Sequence, residues 1–108
     1  MALTKVEEFL FGGNHAHLVE AFDFADGAIT VRIVPVEKNP AAISKGTTAT
    51  FRNASCPDIW KDPKEKDEWP LNIIGFDCYP HGTRWKFVLN CDTTEWIWES
   101  AWPSRNPN

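Results

Sequence analysis

Three runs of alternating large apolar and polar residues in the C-terminal third constrain the fold most strongly. They cover residues 71–79, 84–91 and 94–102 and are separated by short segments rich in turn-forming residues. Because successive side chains of a β-strand point to opposite faces, an alternation with a period of two is typical of a half-buried strand. The three runs therefore predict an antiparallel meander with one apolar face.

The lengths of the turns predict how these strands pair. A two-residue turn at 92–93 pairs Phe87 with Trp98, and a four-residue loop at 80–83 pairs Phe76 with Phe87. Both registers place the same large side chains on one face, namely Ile74, Phe76, Cys78, Trp85, Phe87, Leu89, Trp96 and Trp98. The other face then carries a row of alternating charge formed by Asp77, Lys86 and Glu99.

The N-terminal half predicts one helix and three more strands. Thr4 followed by Glu7 is a capping-box pattern, so we expect a short helix over residues 4–11. Asp26 and Gly27 favour a tight hairpin turn, and a third strand is expected over 47–54. The hairpin pairs are Phe24 with Ile29, Phe22 with Val31 and Glu20 with Ile33. The whole chain is thus predicted to be a single mainly β domain, residues 1–108, with an antiparallel sheet of about six strands.

Composition excludes several classes of function. The net charge is −4, and no cluster of Lys and Arg is present to neutralise nucleic-acid phosphates. No apolar run approaches the length of about 20 residues that a membrane-spanning helix needs. Lys5, Glu7 and Glu8 interrupt the N-terminal stretch, so it does not read as a signal peptide. Three cysteines without a Cys-x-x-Cys spacing indicate reduced thiols, and we expect a cytoplasmic protein.

No motif indicates catalysis or a cofactor. His15 and His17 have the spacing of two ligands on one strand face, and His81 lies in a turn, but no third metal ligand accompanies them. No Gly-x-Ser-x-Gly sequence or phosphate-binding loop is present. We therefore expect a protein that is not an enzyme and that needs no metal or cofactor.

Residues 55–70 form the most distinctive segment for binding. They include three prolines, two tryptophans and eight charged side chains, which predicts a long surface loop. Tryptophan is enriched at the energetic centres of protein interfaces. The predicted contact residues for a protein partner are Asp58, Trp60, Asp62, Glu65, Asp67 and Trp69. The same aromatic and acidic residues leave open a carbohydrate or small-ligand binding domain as the alternative.

The C-terminal strands also resemble a known class of proteins. The sequences of residues 74–79, 84–91 and 95–99 are similar to those of small bacterial immunity proteins of polymorphic toxin systems. The stretch at 15–21 resembles a His-Asp-Ala opening found in some of them, although Leu18 stands where the Asp would be. The resemblance implies a cytoplasmic protein that binds and blocks a partner toxin.

Overall fold

The protein folds as one antiparallel sheet with a short helix. The structure, a computed structural model, describes residues 4–11, 17–36, 46–59 and 69–107. The elements are α1 (Lys5–Phe11), β1 (His17–Ala25), β2 (Ala28–Pro35), β3 (Thr47–Phe51), β4 (Asp58–Ile59), β5 (Leu71–His81), β6 (Arg84–Cys91), β7 (Glu95–Ser100) and β8 (Ser104–Pro107). The described strands are ordered β4-β7-β6-β5-β1-β2-β3-β8. The mainly β class is confirmed.

The predicted strand count of about six is too low by two. The additional strands are β4 and β8, which pair with β7 and β3 respectively. β4 has two residues, and β8 has the polar sequence Ser-Arg-Asn-Pro, so neither carries the alternating apolar pattern that reveals a strand. The third predicted strand is also shorter than expected, since β3 ends at Phe51.

The β1–β2 hairpin turns at the predicted residues. Asp26 and Gly27 both have positive φ, at 53° and 72°, as a type I′ turn requires. The predicted pairs next to the turn, Phe24 with Ile29 and Phe22 with Val31, are confirmed.

Farther from the turn, a bulge changes the hairpin register. The register shifts between Val19 and Ala21, so Val19 rather than Glu20 lies opposite Ile33. The predicted pairing of Glu20 is therefore wrong. The extra residue returns Val19 to the core side, where its side chain is fully buried.

The β6–β7 register agrees with the prediction, and the β5–β6 register differs from it. Phe87 faces Trp98 and Lys86 faces Glu99. However, β5 and β6 turn at residues 82–83, so Phe87 faces Cys78 rather than Phe76. A shift of two residues keeps each side chain on its predicted face, which explains why the apolar face survives the wrong register.

Two details of the predicted meander faces are wrong, one because of the shifted turn and one because of a bulge in β5. Asp77 lies opposite Val88, and Lys86 lies opposite Tyr79, so Asp77 does not extend the Lys86–Glu99 pair. Ile74 is 66% exposed because the register shifts between Ile73 and Gly75. The bulge turns Ile74 away from the core.

The core lies between two parts of the sheet that face each other. Strands β5–β6–β7 carry Phe76, Phe87 and Trp98, and these rings pack around Phe51 of β3 at centroid distances of 4.9–6.0 Å. The joint between the two parts is narrow, since β1 pairs with β5 only at Leu18 and Val19. The buried apolar side chains are Val6, Leu10, Val19, Ile29, Val31, Ile33, Ala49, Phe51, Leu71, Phe76, Phe87, Leu89, Cys91, Trp96 and Trp98.

The helix begins with the predicted capping box and is attached to β5 by the same residues. The Glu7 carboxylate accepts a hydrogen bond from the Thr4 backbone N–H at 2.8 Å, and the Thr4 hydroxyl accepts one from the Glu7 N–H at 3.3 Å. The Thr4 hydroxyl also donates to the Phe76 carbonyl oxygen, and the second oxygen of Glu7 accepts from the Phe76 N–H. In the described ranges, the helix is too short to cross a bilayer.

Candidate functional site

A groove with aromatic walls lies between β1 and the segment that leads into β4. It encloses about 290 Å³ and is open to solvent on one side. Two large apolar side chains at its rim are exposed, Phe24 at 38% and Ile59 at 44%. The lining residues are Phe22, Asp23, Phe24, Cys56, Pro57, Ile59, Trp69 and Trp96. The groove therefore combines an apolar rim with an aromatic interior.

The floor of the groove is fixed by ring stacking. The rings of Phe22 and Trp96 are nearly parallel, with centroids 4.1 Å apart and an interplanar angle of 5°. The ring of Trp69 also contacts that of Trp96, with centroids 6.2 Å apart and an interplanar angle of 39°. Trp96 is only 2% exposed, and its partners pack against the core cluster. Such contacts limit the rotamers of the floor, so a ligand would meet a preformed surface.

The structure places two of the predicted contact residues, and they lie on different faces. Trp69 is half-buried and lines the groove. Asp58 pairs with Ile97, whereas its neighbour Ile59 pairs with Trp96 and faces the groove. Because side chains alternate along a strand, Asp58 lies on the opposite face from Ile59. The other predicted contact residues, Trp60, Asp62, Glu65 and Asp67, lie outside the described residues.

Phe24 and Ile59 are groove residues that sequence reasoning did not single out. Phe24 was assigned to the apolar face of the hairpin and lies opposite Ile29 as predicted, but its side chain is 38% exposed whereas that of Ile29 is fully buried. Ile59 lies in the charged segment and has no apolar neighbours at strand spacing. An isolated large apolar residue in a charged segment was the available signal.

The histidines are separated in the fold. His17 is buried, and its ring stacks on Phe11 with centroids 4.2 Å apart. His81 is exposed, and its Nε2 lies 3.7 Å from a carboxylate oxygen of Glu99. His15 is outside the described residues. Among the residues that are described, no group of three His, Cys, Asp or Glu side chains is arranged to hold a metal ion.

The three cysteines, all within the described ranges, are free thiols in different environments. Cys56 is exposed at the groove, and Cys78 is half-buried against the core. Cys91 is buried, and desolvation together with the nearby Asp92 carboxylate raises the pKa of its thiol to about 12. A thiol with so high a pKa stays protonated and unreactive at neutral pH.

Comparisons with known proteins identify a shared fold. No protein-family model matches this chain, and no curated protein matches it. Among solved structures, it is similar to the crystal structure of an uncharacterized protein from Neisseria gonorrhoeae. The two share 12% sequence identity with a TM-score of 0.59 over 89% of this chain and 95% of that chain. At this identity the similarity shows a common architecture and nothing about activity.

Proposed function

We propose that this protein is a non-enzymatic cytoplasmic module that binds another protein through the aromatic groove. The observation that carries the proposal is the pair of exposed apolar side chains, Phe24 and Ile59, at the rim of a rigid aromatic floor. Large apolar side chains that remain in contact with water beside a preformed surface are typical of protein interfaces. Neutralisation of a toxin domain is the specific role that the resemblance to immunity proteins implies.

The shape of the groove favours a protein over a small molecule. Its volume of about 290 Å³ lies at the lower end for ligand pockets, and one side is open. A sugar site needs free aromatic faces on which the ring can stack. One face of Trp96 is covered by Phe22, and little of its side chain reaches solvent. The carbohydrate alternative therefore has less support than a protein partner.

The charge of this protein favours a partner whose contact surface is basic. The 55–70 segment carries five acidic and three basic side chains, and the whole chain has a net charge of −4. Charged residues around an apolar centre increase the rate of association with an oppositely charged surface more than they increase affinity. We therefore expect the partner to present a basic surface around an apolar or aromatic contact.

Affinity capture with matched variants tests the proposal. The tagged wild-type protein and a Phe24→Ser/Ile59→Ser variant are used to capture proteins from a lysate of the source cell. Ile74→Ser is the control, because Ile74 is a more exposed apolar residue on a strand outside the groove. We expect one stoichiometric partner with the wild type and the control, and its loss with the groove variant.

The identity of the captured protein tests the toxin role separately. If it arrests growth when expressed alone, co-expression of the wild type should restore growth and co-expression of the groove variant should not. A further variant with Trp60, Asp58, Asp62, Glu65 and Asp67 replaced by Ala tests the 55–70 segment. A partner that binds equally to the wild type and the groove variant would refute the groove as the binding site.

A further inference from the structure

One long edge of the sheet lacks a neighbouring strand where it borders the groove. β1 pairs with β5 only at Leu18 and Val19. Beyond the bulge, from Ala21 to Ala25, no strand of the described ranges lies on that side of β1. The groove runs along this part of β1, since Phe22, Asp23 and Phe24 all line it.

The hairpin register determines which backbone groups point toward this side. In a two-residue hairpin, the residues that flank the turn, here Ala25 and Ala28, exchange both backbone hydrogen bonds. The alternation of an antiparallel ladder then directs the N–H and C=O groups of Phe22 and Phe24 away from β2. Within the described residues, these N–H and C=O groups have no hydrogen-bond partner on the open side of β1.

Two other strand edges, one on β5 and one on β7, are closed by specific contacts. The equivalent groups of Phe76 on β5 bond to Thr4 and Glu7, and farther along that edge Pro80 has no N–H to offer. On β7, the Glu99 carbonyl accepts a hydrogen bond from the Ser55 N–H at 2.8 Å, next to β4. Proteins protect exposed edges in these ways because an open edge pairs with other strands.

The terminal strands of the sheet are short. β4 has two residues, and β8 has four, all exposed, with Pro107 at its end. Short strands and prolines limit pairing with another chain. Among the described edges, the one formed by residues 21–25 therefore combines open backbone groups with an adjacent apolar groove.

We infer, building on the proposed function, that an extended segment of the partner adds to the sheet as a strand beside β1. Strand addition obtains affinity from backbone hydrogen bonds and specificity from alternate side chains. The side chains that face the groove would contact Phe24, Ile59 and Trp69, so they are apolar or aromatic.

The other face of the added strand has a different preference. Asp23 borders the groove because it lies between Phe22 and Phe24 in the strand, but it pairs with Thr30 and alternates with those two residues, so its exposed side chain projects to the opposite face of the sheet. An opposite charge on a neighbouring strand stabilises the pairing. The recognised segment is therefore an extended peptide in which apolar residues alternate with Lys or Arg.

Defined peptides and backbone hydrogen exchange test this inference. The probe is a heptapeptide with Lys at odd positions and Val, Phe and Val at even positions. The control peptide has the same composition with its three apolar residues adjacent. We expect the probe to slow exchange of the Phe22 and Phe24 amides by about tenfold or more, since hydrogen-bonded amides exchange only through opening. The control peptide should leave them unchanged.

A matched pair of variants separates backbone from side-chain contacts. Phe24→Ala removes the ring and keeps the N–H, whereas Phe24→Pro removes both. Because that N–H points away from β2, proline at this position leaves the β1–β2 ladder bonds intact. We expect the Phe24→Pro variant to bind the probe at least about tenfold more weakly than the Phe24→Ala variant. This ratio corresponds to about 1.4 kcal/mol, which is typical of one hydrogen bond between uncharged groups.

The outcomes distinguish this inference from the proposed function. Equal binding of the probe by the two variants, or equal protection by probe and control peptides, would overturn strand addition. If the captured partner is still lost with the Phe24→Ser/Ile59→Ser variant in that case, the groove binds through side chains and the proposed function stands. Binding of the probe with the expected difference supports the edge site even if no protein is captured.

Discussion

Trp98 is the residue on which the interior depends most. Its indole is 2% exposed and contacts rings from four other strands, namely those of Phe22, Phe51, Phe76 and Phe87. Its Nε1–H has no hydrogen-bond partner within the described part of the chain. The side chain thus contributes a large apolar contact area and also carries the cost of a buried, unsatisfied donor.

Two substitutions measure the contribution of the ring contacts, since both of them remove the unsatisfied N–H. Trp98→Ala removes the contacts and leaves a cavity, so we expect the free energy of unfolding to fall by about 3–5 kcal/mol. Trp98→Phe removes the same N–H but keeps an aromatic ring in most of the space, so its cost should be less than half as large. Urea unfolding followed by circular dichroism measures both values. Equal losses for the two variants would contradict the contribution of the ring contacts.

Cys91 predicts a dependence of stability on alkaline pH. Its pKa is raised to about 12 in the folded protein, above its ordinary value of 9.0. Between these two values the folded state retains a proton that the unfolded state releases, so the stabilisation is complete below about pH 9 and is lost as pH rises toward 12. We expect the urea midpoint to fall more steeply over pH 9–11 for the wild type than for Cys91→Ala. Parallel curves would show that this thiol does not contribute.

Among the elements, α1 connects the start of the chain to β5, and Glu7 and Glu8 provide a matched comparison. Glu7 bonds both the Thr4 N–H and the Phe76 N–H, whereas the adjacent Glu8 is exposed. We expect Glu7→Ala to lower the free energy of unfolding by about 1–2 kcal/mol through the loss of the capping box and the strand contact. Glu8→Ala should change it by less than about 0.5 kcal/mol. Thermal unfolding of the two variants provides the measurement, and similar losses would contradict the assignment.

The strands show which parts of the fold the sequence could predict. Alternation assigned Phe87 and Trp98 to the core because it depends only on spacing within each strand. The β5–β6 register was missed by two residues because it depends on the turn, and residues 80–83 allow both a four-residue and a two-residue connection. The bulges that expose Ile74 and bury Val19 are set by neighbouring strands, so no local pattern predicts them.

The candidate site was harder to predict than the fold. Trp69 was identified because tryptophan in a charged segment is conspicuous. The groove brings Phe24 of the hairpin together with Ile59 and Trp69, and both of these lie more than thirty residues after Phe24 in the sequence. Asp58 and Ile59 were part of one segment in the sequence, but the short strand β4 directs them to opposite faces.

At the scale of the whole molecule, one shared core predicts one unfolding transition. The rings of β3 and of β5–β7 are in direct contact, so neither part of the sheet keeps its apolar face buried without the other. The radius of gyration is 13.3 Å, close to the value of about 13 Å for a compact domain of this length. We expect tryptophan fluorescence and far-ultraviolet circular dichroism to report the same urea midpoint. Two separated midpoints would show that the parts unfold independently.

The helix is held by contacts with residues that are far away in the sequence. These contacts also determine when the protein can fold. The Thr4 hydroxyl bonds a residue 72 positions away, and the Arg105 guanidinium bonds the Phe9 carbonyl 96 positions away. A helix of seven residues is not stable by itself, so α1 gains its support only after β5 and Arg105 have been synthesised. Long-range contacts of this kind also make folding slow. The native arrangement of helix and sheet therefore forms late, once the segment that holds Arg105 has left the ribosome, and the supply of folded protein lags behind translation.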